Sequence, residues 1–297
     1  MADVKEEPTK PGQEPLLPVF VVGVPRSGTT WVQRILASHP QAWPLLETYM
    51  FSRRSGLGAL FRTLPPELVE SDPYALAAPG LGRIYSRTEL VAEVRAIAER
   101  WLSDSCIPGS RFAIEKSPWH LSDLELIAEV LPRARFVHVI RDGRDVAVSL
   151  LAARRSWSRY GDSRASSTIR EAARVWSDGI EQGELARAVI GERVLEVRYE
   201  ALHADRDAEI RRLFEHCTMP YDEQLVERTA ATTEFEHRPE PRGENMALRA
   251  GRVGDWRQRL GIAHAIMFER IAGPTLRATG YEPDSRWWLH RPLRPRT

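Results

Sequence analysis

Between residues 23 and 31 the chain reads Gly-Val-Pro-Arg-Ser-Gly-Thr-Thr-Trp, a stretch whose residue types suit the capture of an anion. Gly28 lets a ligand approach the backbone closely. Ser27, Thr29 and Thr30 add hydroxyl donors, and Arg26 adds a guanidinium. A continuously apolar run at 18–24 (PVFVVGV) precedes the stretch, and a helical pattern follows it. Backbone N–H groups and a helix N-terminus gather anions in that setting. The spacing nearly matches the phosphate loop GxxxxGK(S/T), yet Thr29 stands where that loop has lysine. In nucleoside triphosphatases the lysine reaches the β- and γ-phosphates, so triphosphate hydrolysis fits poorly here. A 5′-phosphate carrying one further anionic group fits better. A lone glycine would mark an ordinary strand-to-helix turn; here Gly, Arg, two adjacent threonines and Trp31 fall in register.

A second cluster lies at 135–150 (RFVHVIRDGRDVAVSL). Arg141 stands at the carboxyl end of a buried-strand pattern, the ligand edge of an open α/β sheet. Ser149 lies two turns into the helix that follows. A guanidinium fork can hold two phosphate oxygens while a hydroxyl takes another. Asp142 and Arg144 read as partners in salt bridges. Lys116 draws notice because the only other lysines are at 5 and 10, every remaining basic side chain apart from histidine being arginine. An ammonium is a compact point charge that arginine does not replace.

The two clusters resemble the PAPS-dependent sulfotransferases, whose donor is 3′-phosphoadenosine 5′-phosphosulfate. Their 5′-phosphosulfate loop reads closely like PRSGTTW at 25–31. The resemblance implies that Ser27, Gly28, Thr29 and Thr30 hold the 5′-phosphate and that Arg26 touches the oxygen bridging phosphate and sulfate. It assigns Arg141 and Ser149 to the 3′-phosphate. Tyr199-Glu200 resembles the YE segment whose Tyr lies against adenine, and Trp31 is placed to stack there too. Residues 249–256 (RAGRVGDW) resemble the RKGxxGDW segment that closes over the 3′-phosphate. Ala250 replaces its lysine, so Arg249 and Gly251 carry over, with Arg252 as a substitute cation. By analogy with loose phosphoryl transfer, positioning and charge stabilisation supply the catalysis. Arg26 and Lys116 then flank the bridging and sulfuryl oxygens, no metal is required, and adenosine 3′,5′-bisphosphate is the product. Two bases compete for the acceptor proton. Glu47, between His39-Pro40 and Thr48-Tyr49, resembles the catalytic Glu of protein-tyrosine and bacterial sulfotransferases. His120 is its rival, displaced by two residues from the family's KTH position, which Pro118 occupies here.

These residues need a scaffold with several strand ends side by side. Short apolar runs at 18–24, 111–115, 135–140 and 193–197 alternate with helical patterns at 29–38, 88–103, 121–131, 143–154, 167–190, 205–217 and 221–230. Thr88 is the expected cap of the second helix, with Ile97 and Trp101 on its apolar stripe. The alternation predicts an α/β fold, a P-loop-like central parallel sheet flanked by helices in a single domain. That domain is expected over 17–283, after a disordered leader (1–16) and before a tail (284–297). The chain has 297 residues, of which 28% are charged, and a net charge of +1, which gives no reason to expect nucleic-acid or membrane binding. Cys106 and Cys217 lack metal-ligand spacing and suit a reducing cytosol, so a cytoplasmic location without a membrane span is expected. The acceptor class stays open; 50–86 and 232–248 are expected to shape its pocket. The pair Trp287, Trp288 offers a surface for a homodimer. A P-loop kinase would need the missing lysine, and a non-catalytic nucleotide-binding protein would keep the fold without transfer.

Overall fold

β-Branched and aromatic runs with little polar content fold as strands buried on both sides. In the computed structural model, which describes residues 15–45, 47–53, 55–63, 85–157, 168–234 and 251–289, five of them form one sheet. In chain order they are β1 (Leu17–Val22), β2 (Ala42–Leu45), β3 (Phe112–Lys116), β4 (Arg135–Ile140) and β5 (Val194–Arg198). The spatial order is β2-β3-β1-β4-β5 and every neighbouring pair is parallel. The chain leaves β1 toward β2 on one side and leaves β4 toward β5 on the other. The crevice between the carboxyl ends of β1 and β4 is therefore the topological switch point, where such sheets bind ligands.

The helices are α1 (Thr29–Ala37), α2 (Arg87–Ser105), α3 (Leu124–Val130), α4 (Gly143–Trp157), α5 (Ile169–Ile190), α6 (Tyr199–Ala204), α7 (Arg206–His216), α8 (Glu223–Thr232), α9 (Trp256–Arg259) and α10 (Ile262–Ala278). Side chains alternate across a strand, and the core divides accordingly. Val19 and Val21 face Trp31 and Ile35 of α1, Leu213 of α7 and Leu225 of α8. Phe20 and Val22 face Val94 of α2 and Ile127 of α3. A third cluster joins Ala147 of α4, Trp176 of α5 and Phe268 of α10.

Several elements differ from the sequence reading. The cap of helix α2 lies two residues earlier than expected. Ser86, not Thr88, is its cap, because Glu89 lies three residues on and completes a reciprocal capping box. Its buried stripe runs through Val91, Val94, Ala98 and Leu102, leaving Ile97 and Trp101 at 40% and 37% exposure. The expected helix at 121–131 splits into a tight 3₁₀ segment, Pro118–Asp123, and α3. Strand β2 escaped prediction because Pro44 interrupts it; at a sheet edge that proline costs no ladder bond. Helix α10 escaped as well, with Pro274 in its interior. Trp287, expected to face a neighbouring copy, is buried in its own chain. It lies edge-on to Trp256 at 5.0 Å, and its indole N–H donates to Glu269 Oε2 at 2.8 Å. No described helix is long and apolar enough to cross a membrane.

Candidate active site

The loop after β1 is shaped by three residues at positive φ: Gly23 (151°), Arg26 (78°) and Gly28 (104°). At Gly28 a Cβ would lie 2.4 Å from the Tyr199 ring, so only glycine fits there. Arg26 holds a left-handed conformation that side chains disfavour, and such strain concentrates at ligand clamps. Thr29 and Thr30 open α1, so their amides have no acceptor within the helix, and no side chain caps its start.

The same geometry joins the two sequence clusters. Arg26 Nε donates to Ser149 Oγ at 3.0 Å, across the crevice between β1 and β4. Arg141, at the end of β4, donates through Nη1 to Arg26 O at 3.4 Å and through Nη2 to Arg252 O at 2.9 Å. Its guanidinium carbon sits 4.2 Å from the centre of the Tyr199 ring, and Tyr199 Oη donates to Gly251 O at 2.6 Å. Arg141 Nε is buried and has no partner among the described residues. A buried donor left in this state costs free energy unless a ligand satisfies it. An unpaired guanidinium N–H beside open helix amides is the donor set a phosphate-bearing nucleotide requires.

Asp145 ties down the segment that follows. Its carboxylate accepts the amides of Gly254 and Trp256, each at 2.8 Å, and lies 3.6 Å from Arg141 Nη2. Burial nonetheless pushes its pKa up to about 6, outweighing the pull of Arg141 and the two amides. Asp142 and Arg144 are salt-bridged at 2.8 Å as the sequence suggested, and Arg144 also reaches Glu282 at 2.8 Å.

Beside this corner β3 places Lys116, which pairs in register with Val21 of β1. Lys116 Nζ donates to Glu47 Oε1, and Tyr49 Oη donates to Glu47 Oε2 at 2.6 Å. The Glu47 side chain keeps 40% of its surface exposed while Lys116 is nearly buried. Beneath them lies Glu115, fully buried. Its Oε1 accepts from Thr48 N (3.3 Å), Thr48 Oγ1 (2.9 Å) and Ser117 Oγ (2.5 Å). Its Oε2 lies 3.2 Å from His120 Nδ1, and Phe51 N–H donates to His120 Nε2 at 3.2 Å. The amide fixes Nε2 as the acceptor, so Nδ1 carries the hydrogen that faces Glu115. His120 is 1% exposed with both ring nitrogens occupied. Glu47 has its carboxylate at the surface.

The structure therefore gathers Arg26, Ser27, Gly28, Thr29, Thr30, Arg141, Ser149, Tyr199 and Gly251 around one crevice, with Lys116 and Glu47 at the neighbouring strand end. Trp31 sits behind the loop instead. It is 1% exposed, its N–H donates to Thr233 O at 2.7 Å, and its ring meets Tyr199 and His203. Arg249, like most of 50–86 and 232–248, lies outside the described residues. Sequence reasoning missed Tyr49, Glu115 and Asp145. Only Asp145 carried a local signal, as the last residue of the Arg-Asp-Gly-Arg-Asp run at 141–145.

The sequence model of the sulfotransferase family matches residues 18–223. The chain is similar to an uncharacterized protein of Aquifex aeolicus, 26% identical over 219 residues, which cover 71% of this chain and 26% of that protein. It is also similar to protein-tyrosine sulfotransferase 1 of Danio rerio, 22% identical over 208 residues, 70% of this chain and 55% of that protein. The chain thus spans about half the length of such relatives, or less. Among solved structures, mouse sulfotransferase SULT7A1 complexed with PAP superposes with a TM-score of 0.51 at 15% identity, over 94% of this chain and 89% of that one. Sulfotransferase STF9 from Mycobacterium avium gives a TM-score of 0.51 at 19% identity, over 91% and 77%. At such identities the two structures speak for a shared fold.

Proposed function

Because the chain belongs to the sulfotransferase family, we propose that it moves a sulfuryl group from 3′-phosphoadenosine 5′-phosphosulfate to a hydroxyl or amine of an acceptor. The observation that carries the reading is the meeting of the two anion clusters, Arg26 Nε on Ser149 Oγ, beside the unpaired Nε of Arg141. One nucleotide with phosphates at both ends would occupy both. The loop at 25–30 and the start of α1 would hold the 5′-phosphate, Arg141 and Ser149 the 3′-phosphate, and Tyr199 the adenine. The bound donor supplies an activated sulfuryl group and leaves as adenosine 3′,5′-bisphosphate. Arg26 and Lys116 set positive charge where negative charge grows during displacement. Glu47 takes the acceptor proton; Tyr49 and Lys116 fix its two oxygens for that role. The buried network of Glu115, Thr48, Ser117 and His120 supports the loop that carries Glu47, which favours Glu47 over His120 as the base. The low similarity to the protein-tyrosine enzymes names no acceptor, and phenols, sugar hydroxyls and peptide tyrosines are all candidates.

The test supplies the full chain with the donor and a panel of acceptors, and reads the mass gain of one SO₃ by mass spectrometry. Adenosine 3′,5′-bisphosphate should also raise the melting temperature. No shift with millimolar bisphosphate and no transfer to any acceptor would overturn the reading.

A further inference from the structure

The sheet has a second charged margin, at its amino edge. There the starts of β1, β3, β4 and β5 border a cleft of about 320 Å³. Arg111, Arg133, Arg135 and Arg193 line it, with Phe112 and Thr218, and among the described residues no acidic side chain does. Arg135 opens β4 and Arg141 follows its end, so about 20 Å of strand (six residues at about 3.3 Å each) separates this cleft from the crevice above.

Among the described residues, Arg133, Arg135 and Arg193 are not spent on counter-charges. Arg193 Nη1 donates to the carbonyls of Pro132 (2.7 Å) and Ala128 (3.5 Å), and Arg133 Nη2 to that of Pro15 (3.5 Å). Carbonyl acceptors leave the formal charges uncompensated. Arg135 has no hydrogen-bond or ion-pair partner among the described residues. The pKa of Arg193 is lowered, by burial first and then by the charge of Arg135. Like charges held this close favour an anion between them.

Thr218 adds an independent oddity. Helix α7 ends with Thr218 N–H on Glu215 O (3.0 Å) and Met219 N–H on Phe214 O (2.8 Å), the pattern whose turning residue is usually glycine. Here a β-branched residue holds φ at 53°. The conformation is unfavourable for threonine, and this residue lines the cleft.

We propose that this cleft binds a small polyanion of the pyrophosphate or phosphate-ester type, held by the guanidiniums of Arg133, Arg135 and Arg193 and by Thr218. A single carboxylate offsets one charge, whereas a phosphate group presents two charges and three oxygens that match guanidinium forks. The volume is at the small end of ligand pockets and suits a pyrophosphate or sugar phosphate. The site is separate from the crevice and does not depend on the transfer reaction.

Inorganic pyrophosphate, titrated calorimetrically into the full chain at physiological ionic strength, tests this. Binding should survive in Arg141→Ala, which weakens the upper crevice, and weaken at least about tenfold in Arg135→Gln/Arg193→Gln. Arg135→Gln alone, which breaks no hydrogen bond, should show the same trend if the double variant fails to fold. Thr218→Gly should raise the melting temperature of the free chain and still weaken pyrophosphate. Binding abolished by Arg141→Ala, or unchanged in Arg135→Gln, would overturn the proposal, as would stronger binding of a single-stranded oligonucleotide or poly-glutamate than of pyrophosphate. A Thr218→Gly chain that is stabilised and binds with unaltered affinity would remove Thr218 from the site.

Discussion

The two corners of the carboxyl edge are built by different means. The β1/β4 corner is mostly backbone: three residues at positive φ, a helix start and a glycine that a tyrosine ring touches. Its cationic and hydroxyl side chains come from two short segments of sequence. The β3 corner is mostly side chain. A buried carboxylate, Glu115, collects donors from Thr48, Ser117 and His120 and so fixes the loop that presents Glu47. The first arrangement suits binding, because preset amides and guanidiniums need no reorganisation to meet an anion. The second suits proton transfer, because the carboxylate is held at two oxygens yet keeps a solvent-facing surface.

If that division of labour holds, changing one corner leaves the other's task intact. Glu47→Gln keeps the shape and removes the proton acceptor. It should lower the rate of sulfuryl transfer by about 10²–10⁴-fold, the usual share of a general base. Its affinity for adenosine 3′,5′-bisphosphate should match that of the unaltered chain. Equal losses in rate and nucleotide affinity would merge the two corners into one. Arg141→Ala should do the reverse. Charge-assisted bonds contribute about 1.5–3 kcal/mol each, so the bisphosphate should bind about 10- to 100-fold more weakly, read by calorimetry.

His120 sharpens the comparison further. As a member of the Glu115 network it contributes to stability and leaves catalysis to Glu47. His120→Asn should lose about 1–3 kcal/mol in denaturant unfolding, because the Phe51 amide and Glu115 lose a buried partner. The pH profile of the residual transfer should keep its shape. A lost limb in that profile would make His120 the base instead.

The contrast also explains what could be read from the sequence. The β1/β4 corner was legible because its strands are unbroken apolar runs and its loop residues are contiguous, so Arg26, Gly28, Arg141 and Ser149 could be named at once. Strand order was not legible, since the β2-β3-β1-β4-β5 arrangement depends on which helices pack on which face. Glu115 looked like any strand residue beside a lysine. Its role depends on Thr48, 67 residues away, and on a 3₁₀ turn that turns His120 inward. Trp31 shows the opposite failure. Its place in the loop motif suggested stacking on a base, but it lies four residues before Ile35 and shares the buried face of α1 with it.

Asp145 stands behind the β1/β4 corner, 3.6 Å from Arg141 Nη2, and it supplies the smallest expected effect. It holds the amides of Gly254 and Trp256, and so anchors the segment whose Gly251 carbonyl meets Tyr199. Burial raises its pKa from the ordinary 3.8 to about 6 in the folded chain. A carboxyl with a raised folded pKa binds its proton more tightly folded than unfolded. Its contribution therefore favours the fold at pH below about 4 and is lost as the pH climbs through about 6. Two pKa units correspond to about 3 kcal/mol, an upper figure for a side chain with no exposed surface. Asp145→Asn removes this titration. The stability of the unaltered chain relative to the variant should fall between pH 4 and pH 6 and then level off, as read from melting temperatures across that range. Parallel curves would mean that the two amides and Arg141 offset the burial of the charge, and that the 251–256 segment is anchored by an ion pair insensitive to pH.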